Sequence, residues 1–286
     1  MNRKPSESRI DRGERFIWKD GEIEITPAPG KAMPGLASSG LPWPEFVYRL
    51  IEHYKWEPQH LRGTVAEFDT RMRRQEVPLN FLFNILLRWL SSDAIKGLLN
   101  RFCPANDVSG PLGVERLWEA KFAQPDVRIE SPCSRIFIEV KVDAVTKLEQ
   151  LQRFLLLHAE MNARFGEKRP YLFFLTKNGL SKCWQPRGEL KSDVNVQDSL
   201  RRLSEVALPE SLGRRALKEA SASYEDVRTR ITYGAATWSA IGMFLRELGI
   251  NVGDSINRRA IEDFVSELHK RGLFEDRILA SGRSTE

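Results

Sequence analysis

Cysteine is scarce: Cys103, Cys133 and Cys183 are the only three in 286 residues, and they lie far apart. An odd count without a Cys-x-x-Cys pair gives neither a disulfide framework nor a zinc motif. Histidine is almost as rare. His53 and His60 stand seven apart rather than the four of a helical zinc pair, and His158 and His269 are isolated. No apolar run approaches the roughly eighteen residues of a membrane-spanning helix. The best stretch, Leu79–Leu90, is interrupted by Asn80, Asn84 and Arg88, so it reads as a buried amphipathic helix. The first residues are polar and lack the apolar core of a signal peptide. A reduced cytoplasmic setting with no membrane partner is the expectation. There is no GxxxxGK[ST] loop and hence no expected nucleotide cofactor; Gly-x-Ser-x-Gly is missing too, which removes the usual serine-hydrolase elbow. Repeats and low-complexity tracts are lacking.

What is present is a mildly basic chain. It has 44 Lys and Arg against 39 Asp and Glu, a net charge of +5 and 41% hydrophobic residues. That composition supports a real core and permits a polyanionic partner without requiring one. Paired basic residues at Arg71, Arg73 and Arg74, Arg201-Arg202, Arg214-Arg215 and Arg258-Arg259 could follow a phosphate backbone, or simply be solvated helix faces.

Three regions follow from patterning. Residues 1–44 comprise a polar tail, a hairpin over Arg15–Ile25 turning at Asp20-Gly21, and a Pro-rich linker over Thr26–Pro44. Residues 45–200 hold the core. In it, Glu45–Trp56 is helical, Pro78–Arg101 is a core helix or helix pair, and Cys103–Gly113 is a turn. Strands are expected at Val114–Phe122, Asp126–Glu130, Ile136–Val142 and Tyr171–Thr176, with a long helix at Lys147–Phe165. Residues 201–286 read as helical throughout. One helix carries Trp238, Ile241, Leu245 and Leu248 and ends at Gly249; a second carries Ile261, Phe264, Val265 and Leu268 and ends at Gly272. This pair is a weak helix-turn-helix candidate, because a connection over Gly249–Ser255 is longer than the usual turn. The fold class is α/β: a central mixed sheet flanked by helices, with an N-terminal hairpin and a helical C-terminal region.

The chemistry concentrates on the third core strand. Side chains alternate along a strand, so Glu139 and Lys141 share one face while Ile138, Val140 and Val142 take the other. Charges amid an apolar strand need partners or a solvent-filled cleft. Asp126 stands thirteen positions before Glu139, across a hairpin. Two carboxylates and an ammonium so placed form either a buried ion-pair cluster or a site for a hard divalent cation.

Asp126, Glu139 and Lys141 match the PD-(D/E)xK pattern, with Pro125-Asp126 literal, and the chain over residues 76–180 resembles the restriction-endonuclease-like nuclease superfamily. The next helix carries Gln150-Leu151-Gln152-Arg153-Phe154, similar to the Gln-Leu-x-Arg-aromatic segment of one bacterial branch. There an apolar strand ending in Leu-Thr and a Gly turn follows, as Tyr171–Gly179 does here.

The resemblance implies a Mg²⁺-dependent nuclease (Mn²⁺ substituting) that hydrolyses phosphodiester bonds in DNA, in a setting such as restriction or anti-phage defence. It implies Asp126, Glu139 and the Val140 carbonyl as metal ligands. Lys141 would orient or deprotonate water or stabilise developing charge. Gln150 would position water or phosphate, and Glu115 would assist a second metal. Glu76 stands where some members carry an acidic residue on the first core helix. A homodimer is in keeping with two-strand cutting. The bland readings stay open beside these: a solvated helix face for Gln150, a strand-edge carboxylate for Glu115 (with Glu119 a competitor), and a dipole-favoured helix start for Glu76. The alternative function is a non-catalytic nucleic-acid-binding or regulatory protein on a nuclease-like scaffold.

Overall fold

A computed structural model describes residues 15–19, 22–26, 43–44, 47–48, 73, 76–115, 123–142, 146–185, 198, 200–202 and 223–275. The first two spans form β1 (Arg15–Lys19) and β2 (Glu22–Thr26), an antiparallel pair in which Lys19 faces Glu22. The two strands are separated in sequence by Asp20-Gly21, the spacing the Asp-Gly signal predicts.

The main sheet has five strands in the order β3 (Gly113–Val114), β4 (Val127–Glu130), β5 (Ser134–Lys141), β7 (Arg169–Thr176) and β9 (Thr232–Thr237). The β3–β4 and β4–β5 pairs are antiparallel, whereas β5–β7 and β7–β9 are parallel, so the sheet is mixed. Antiparallel β4 and β5 need only the tight turn at Ser131-Pro132-Cys133. The parallel β5–β7 step needs a crossover, which α3 (Leu148–Phe165) supplies. A short parallel pair, β6 (Thr146–Lys147) and β8 (Trp184–Gln185), ties the start of α3 to the segment after α4 (Leu180–Cys183).

Period-two alternation divides β5 and β7 between two cores. Ile136, Ile138, Val140, Tyr171, Phe173 and Leu175 pack with α1 (Glu76–Trp89), α2 (Ser92–Phe102), α5 (Trp238–Asn251) and α6 (Ser255–Lys270). Phe137, Leu172 and Phe174 pack on the other face with Leu151, Phe154 and Leu155 of α3, and with Val227 from the helix over 223–230. Every residue of β5 is buried. The helix pair expected over Pro78–Arg101 is α1 with α2, and the second of these starts where the Ser91 hydroxyl accepts from the Ala94 amide.

Several expectations change. Residues 201–286 are not helical throughout, since β9 adds an edge strand to the sheet. Its sequence, Thr-Tyr-Gly-Ala-Ala-Thr, has small residues where strands normally show branched ones, which weakens the signal. At Gly234 the reason is the close approach of α2. A Cβ on Gly234 would sit 2.6 Å from the Phe102 carbonyl oxygen and 2.9 Å from Phe173. Gly249 does not end its helix, which runs on to Asn251; the glycine packs instead against Ile261. The connection to α6 is consequently three residues, 252–254, shorter than expected. Gly272 does end α6, at φ 63° with Leu273 N–H donating to the Leu268 carbonyl. Trp43, placed in the linker by its neighbouring prolines, is buried and helical. Its indole N–H donates to the Ala260 carbonyl at 3.0 Å. Of the strand expected over Val114–Phe122, only Val114 is in the ladder; residues 116–122 lie outside the described residues, as do most of Glu45–Trp56 and the Arg71, Arg74 and Arg214-Arg215 clusters.

Candidate active site

The α3 side of β5 is apolar at Phe137 but carries Glu139 and Lys141 at its C-terminal end. Both are buried, at 4% and 9% exposure. β4 begins at Val127 opposite Ile138, so Asp126 lies just beyond the ladder and beside the end of β5. Its Oδ2 accepts from the Val140 amide at 2.8 Å. The N–H and C=O of one strand residue leave along the same edge, so the Val140 carbonyl emerges beside Asp126, where β4 has stopped. Lys141 Nζ donates to Glu139 Oε1 at 2.6 Å, and Gln150 Nε2, from the first turns of α3, donates to the same oxygen. Asp126 and Glu139 lie close enough for each carboxyl to shift the titration of the other. Four of the residues singled out in the sequence therefore converge: Asp126, Glu139, Lys141 and Gln150.

The electrostatics follow from burial and crowding. Burial, then the Asp126 charge, pushes the Glu139 carboxyl up to about 8, against the pull of Lys141. Burial also raises Asp126, although the Val140 amide and Lys141 oppose it. Burial pushes Lys141 down, but Glu139 more than offsets it, so the lysine is held above its ordinary value as an ammonium. Glu76, in the first turn of α1, raises both Glu139 and Lys141 through its charge.

Glu115 is not brought to this cluster. It is exposed, its amide donates to the Arg128 carbonyl, and it lines a surface groove with Gly113, Glu130, Pro132 and Lys168. Glu119 lies outside the described residues. Among the described residues, no three His, Cys, Asp or Glu side chains are grouped to hold a metal. Among the described residues, Asp126, Glu139 and the Val140 carbonyl bring oxygen donors together there. Such a hard, sparse oxygen set suits Mg²⁺, which retains waters, and does not suit zinc. His158 is a core residue with its Nε2 3.1 Å from the Tyr171 carbonyl.

Sequence reading passed over Asn80 and Asn84. Asn80 Nδ2 donates to Asp126 Oδ1 at 2.6 Å, and Asn84 Nδ2 donates to the Asp126 carbonyl at 2.7 Å. Arg88, one turn further on, donates to the Glu115 carbonyl at 3.1 Å. Their signal was the four-residue spacing Glu76, Asn80, Asn84, Arg88 in an otherwise apolar helix, which aligns them along one stripe.

No helix of the described residues is long and apolar enough to cross a membrane. Comparison of the chain with protein-family models, with curated proteins and with solved structures found no match.

Proposed function

We propose that this protein is a Mg²⁺-dependent nuclease that hydrolyses phosphodiester bonds in DNA. The observation that carries the reading is the meeting of Asp126, Glu139, Lys141 and Gln150 at the open end of β5, where the antiparallel neighbour has stopped. An ordinary buried ion pair would balance its charges. Here two carboxyl groups crowd one ammonium and burial shifts both, and perturbed carboxyls of this kind concentrate at functional sites.

Asp126, Glu139 and the Val140 carbonyl would hold the cation, and Mn²⁺ has the same taste for oxygen. When bound, such a cation offsets phosphate charge and lowers the pKa of water. Lys141 keeps its proton at Nζ, which suits it to stabilising charge on the phosphate oxygens rather than to abstracting a proton. Gln150 holds Glu139 Oε1 from the helix side and fixes the rotamer that Lys141 also grips.

Nicking of supercoiled plasmid tests the reading, with Mg²⁺, Mn²⁺ or chelator and with wild type against Lys141→Ala. Cation-dependent nicking by wild type alone is expected. Equal nicking by both proteins, or none by wild type, would sink it. Retention of DNA without any cleavage would move the assignment to a non-catalytic binding protein on this scaffold.

A further inference from the structure

We propose that Asn80 and Asn84 are positioning residues that clamp Asp126 and so decide which of its lone pairs face Glu139. The proposal rests on the functional reading above only for what Asp126 does once placed.

Asp126 lies one residue outside β4, where no ladder hydrogen bond fixes it. A carboxylate at a strand end is free to rotate about its side-chain torsions unless donors hold it. Here donors come from two directions. Asn84 Nδ2 reaches the Asp126 backbone carbonyl at 2.7 Å and also its own α1 neighbour, the Asn80 carbonyl, at 2.9 Å. Asn84 thereby fixes the height of the main chain against α1. Asn80 Nδ2 takes Oδ1 at 2.6 Å, and the Val140 amide takes Oδ2 at 2.8 Å. With one N–H on each oxygen, the carboxylate plane is set, and with it which lone pairs are left for Glu139.

The orientation of Asn80 follows from the carboxylate. Its Oδ1 is buried and accepts no hydrogen bond among the described residues. An amide that left an acceptor bare would rotate if packing alone placed it, because a buried unmet acceptor is costly. The charge-assisted bond to Asp126 outweighs that cost. Helix geometry supplies the rest. Asn80 and Asn84 are one turn apart, and the intervening Leu82 and Phe83 are fully buried, which anchors the helix that carries the clamp.

The test needs a readout that does not depend on activity. The Val140 amide is that reporter, since its hydrogen bond ends on the clamped carboxylate. In Asn80→Leu, which keeps the volume and loses the donor, the Val140 amide proton is expected to shift and to exchange at least tenfold faster, while the fold stays intact. Asn80→Ser, too short to reach Oδ1, serves if the leucine variant does not fold. Mn²⁺ affinity, read by electron paramagnetic resonance, should fall by about 10- to 100-fold, as for other groups that orient metal ligands. An unchanged Val140 amide in a folded variant overturns the clamp. A responsive Val140 amide in a protein whose wild type takes up no Mn²⁺ upholds the clamp and removes the metal reading instead.

Discussion

Two buried charge clusters occupy the same face of the sheet at opposite ends of β5, and they are balanced in opposite ways. At the N-terminal end a single carboxylate, Glu130, receives Arg128 at 2.7 Å, Arg135 at 2.8 Å and Lys168 at 2.5 Å. Asn162 takes the Arg135 guanidinium at 2.6 Å. Burial alone would raise Glu130, but Lys168 and the arginines hold it down at about 2. At the C-terminal end two carboxylates share Lys141, and Glu139 is pushed up to about 8. The first cluster is over-supplied with cations. The second crowds two carboxyl groups onto one ammonium at a point where the ladder has ended. Burial by itself therefore says little about function; whether cations crowd one carboxylate or carboxyls crowd one cation separates the structural network from the candidate cation site.

Activity should break the comparison most sharply. Lys141→Ala is expected to reduce plasmid nicking by about 10²–10⁴-fold, the range for losing a positioned catalytic group. Comparable loss on removing Lys168, the ammonium of the other cluster, would mean that the two ends do not differ as argued.

Stability should reverse the ranking. Glu130→Ala strips the buried Arg135 of its counter-charge and is expected to cost about 3–5 kcal/mol in denaturant unfolding. Glu139→Gln relieves a crowded pair and should leave stability within about 1 kcal/mol of wild type or raise it, since a neutral amide still accepts from Lys141. If Glu139→Gln is as destabilising as Glu130→Ala, Glu139 is a structural ion-pair partner.

The pH dependence of the chelated protein gives a smaller, signed effect. Glu139 titrates at about 8 folded against 4.5 ordinarily, so the folded state binds the extra proton between those values. Its contribution is present below 4.5 and is lost as pH rises through 8. Glu130, held near 2, does the opposite: its contribution is present above 4.5 and is lost as pH falls toward 2. Burial, reinforced by the Arg135 charge, keeps His158 neutral down to about 3, so it too matters only on the acid side of 6.5. Between pH 6.5 and 8.5 the melting temperature should fall with a slope that Glu139→Gln flattens. A slope retained in that variant would assign it elsewhere.

Much of this contrast was legible in the sequence. Period-two alternation put Glu139 and Lys141 on one face of a buried strand, and the hairpin length brought Asp126 back beside them. The cluster around Glu130 was not legible. Arg128, Arg135, Asn162 and Lys168 come from two strands, a helix and the loop after it, and no local spacing relates them. β9 was hidden for a different reason. A close crossing by α2 demands Gly234, and small residues erase the branched signature of a strand. Asn80 and Asn84 sat in plain view as interruptions of an apolar run, but only tertiary structure gives their amides a target.

The least expected effect concerns Glu115. A carboxylate on the strand preceding Asp126 was expected to assist a second metal, and β3 does run antiparallel to β4. Its register decides the matter: Val114 pairs with Ile129, so Glu115 lies level with Arg128, two residues up the strand from Asp126. At about 3.3 Å per residue that is a substantial offset, and the side chain turns into the groove with Glu130 and Lys168. Exposed substitutions remote from packing change stability by about 0.5 kcal/mol or less. Glu115→Gln should accordingly melt like wild type and nick plasmid within about twofold of it, under the conditions in which Lys141→Ala fails. A loss approaching that of Lys141→Ala would bring Glu115 into the site and require β3 to shift toward Asp126 when DNA binds.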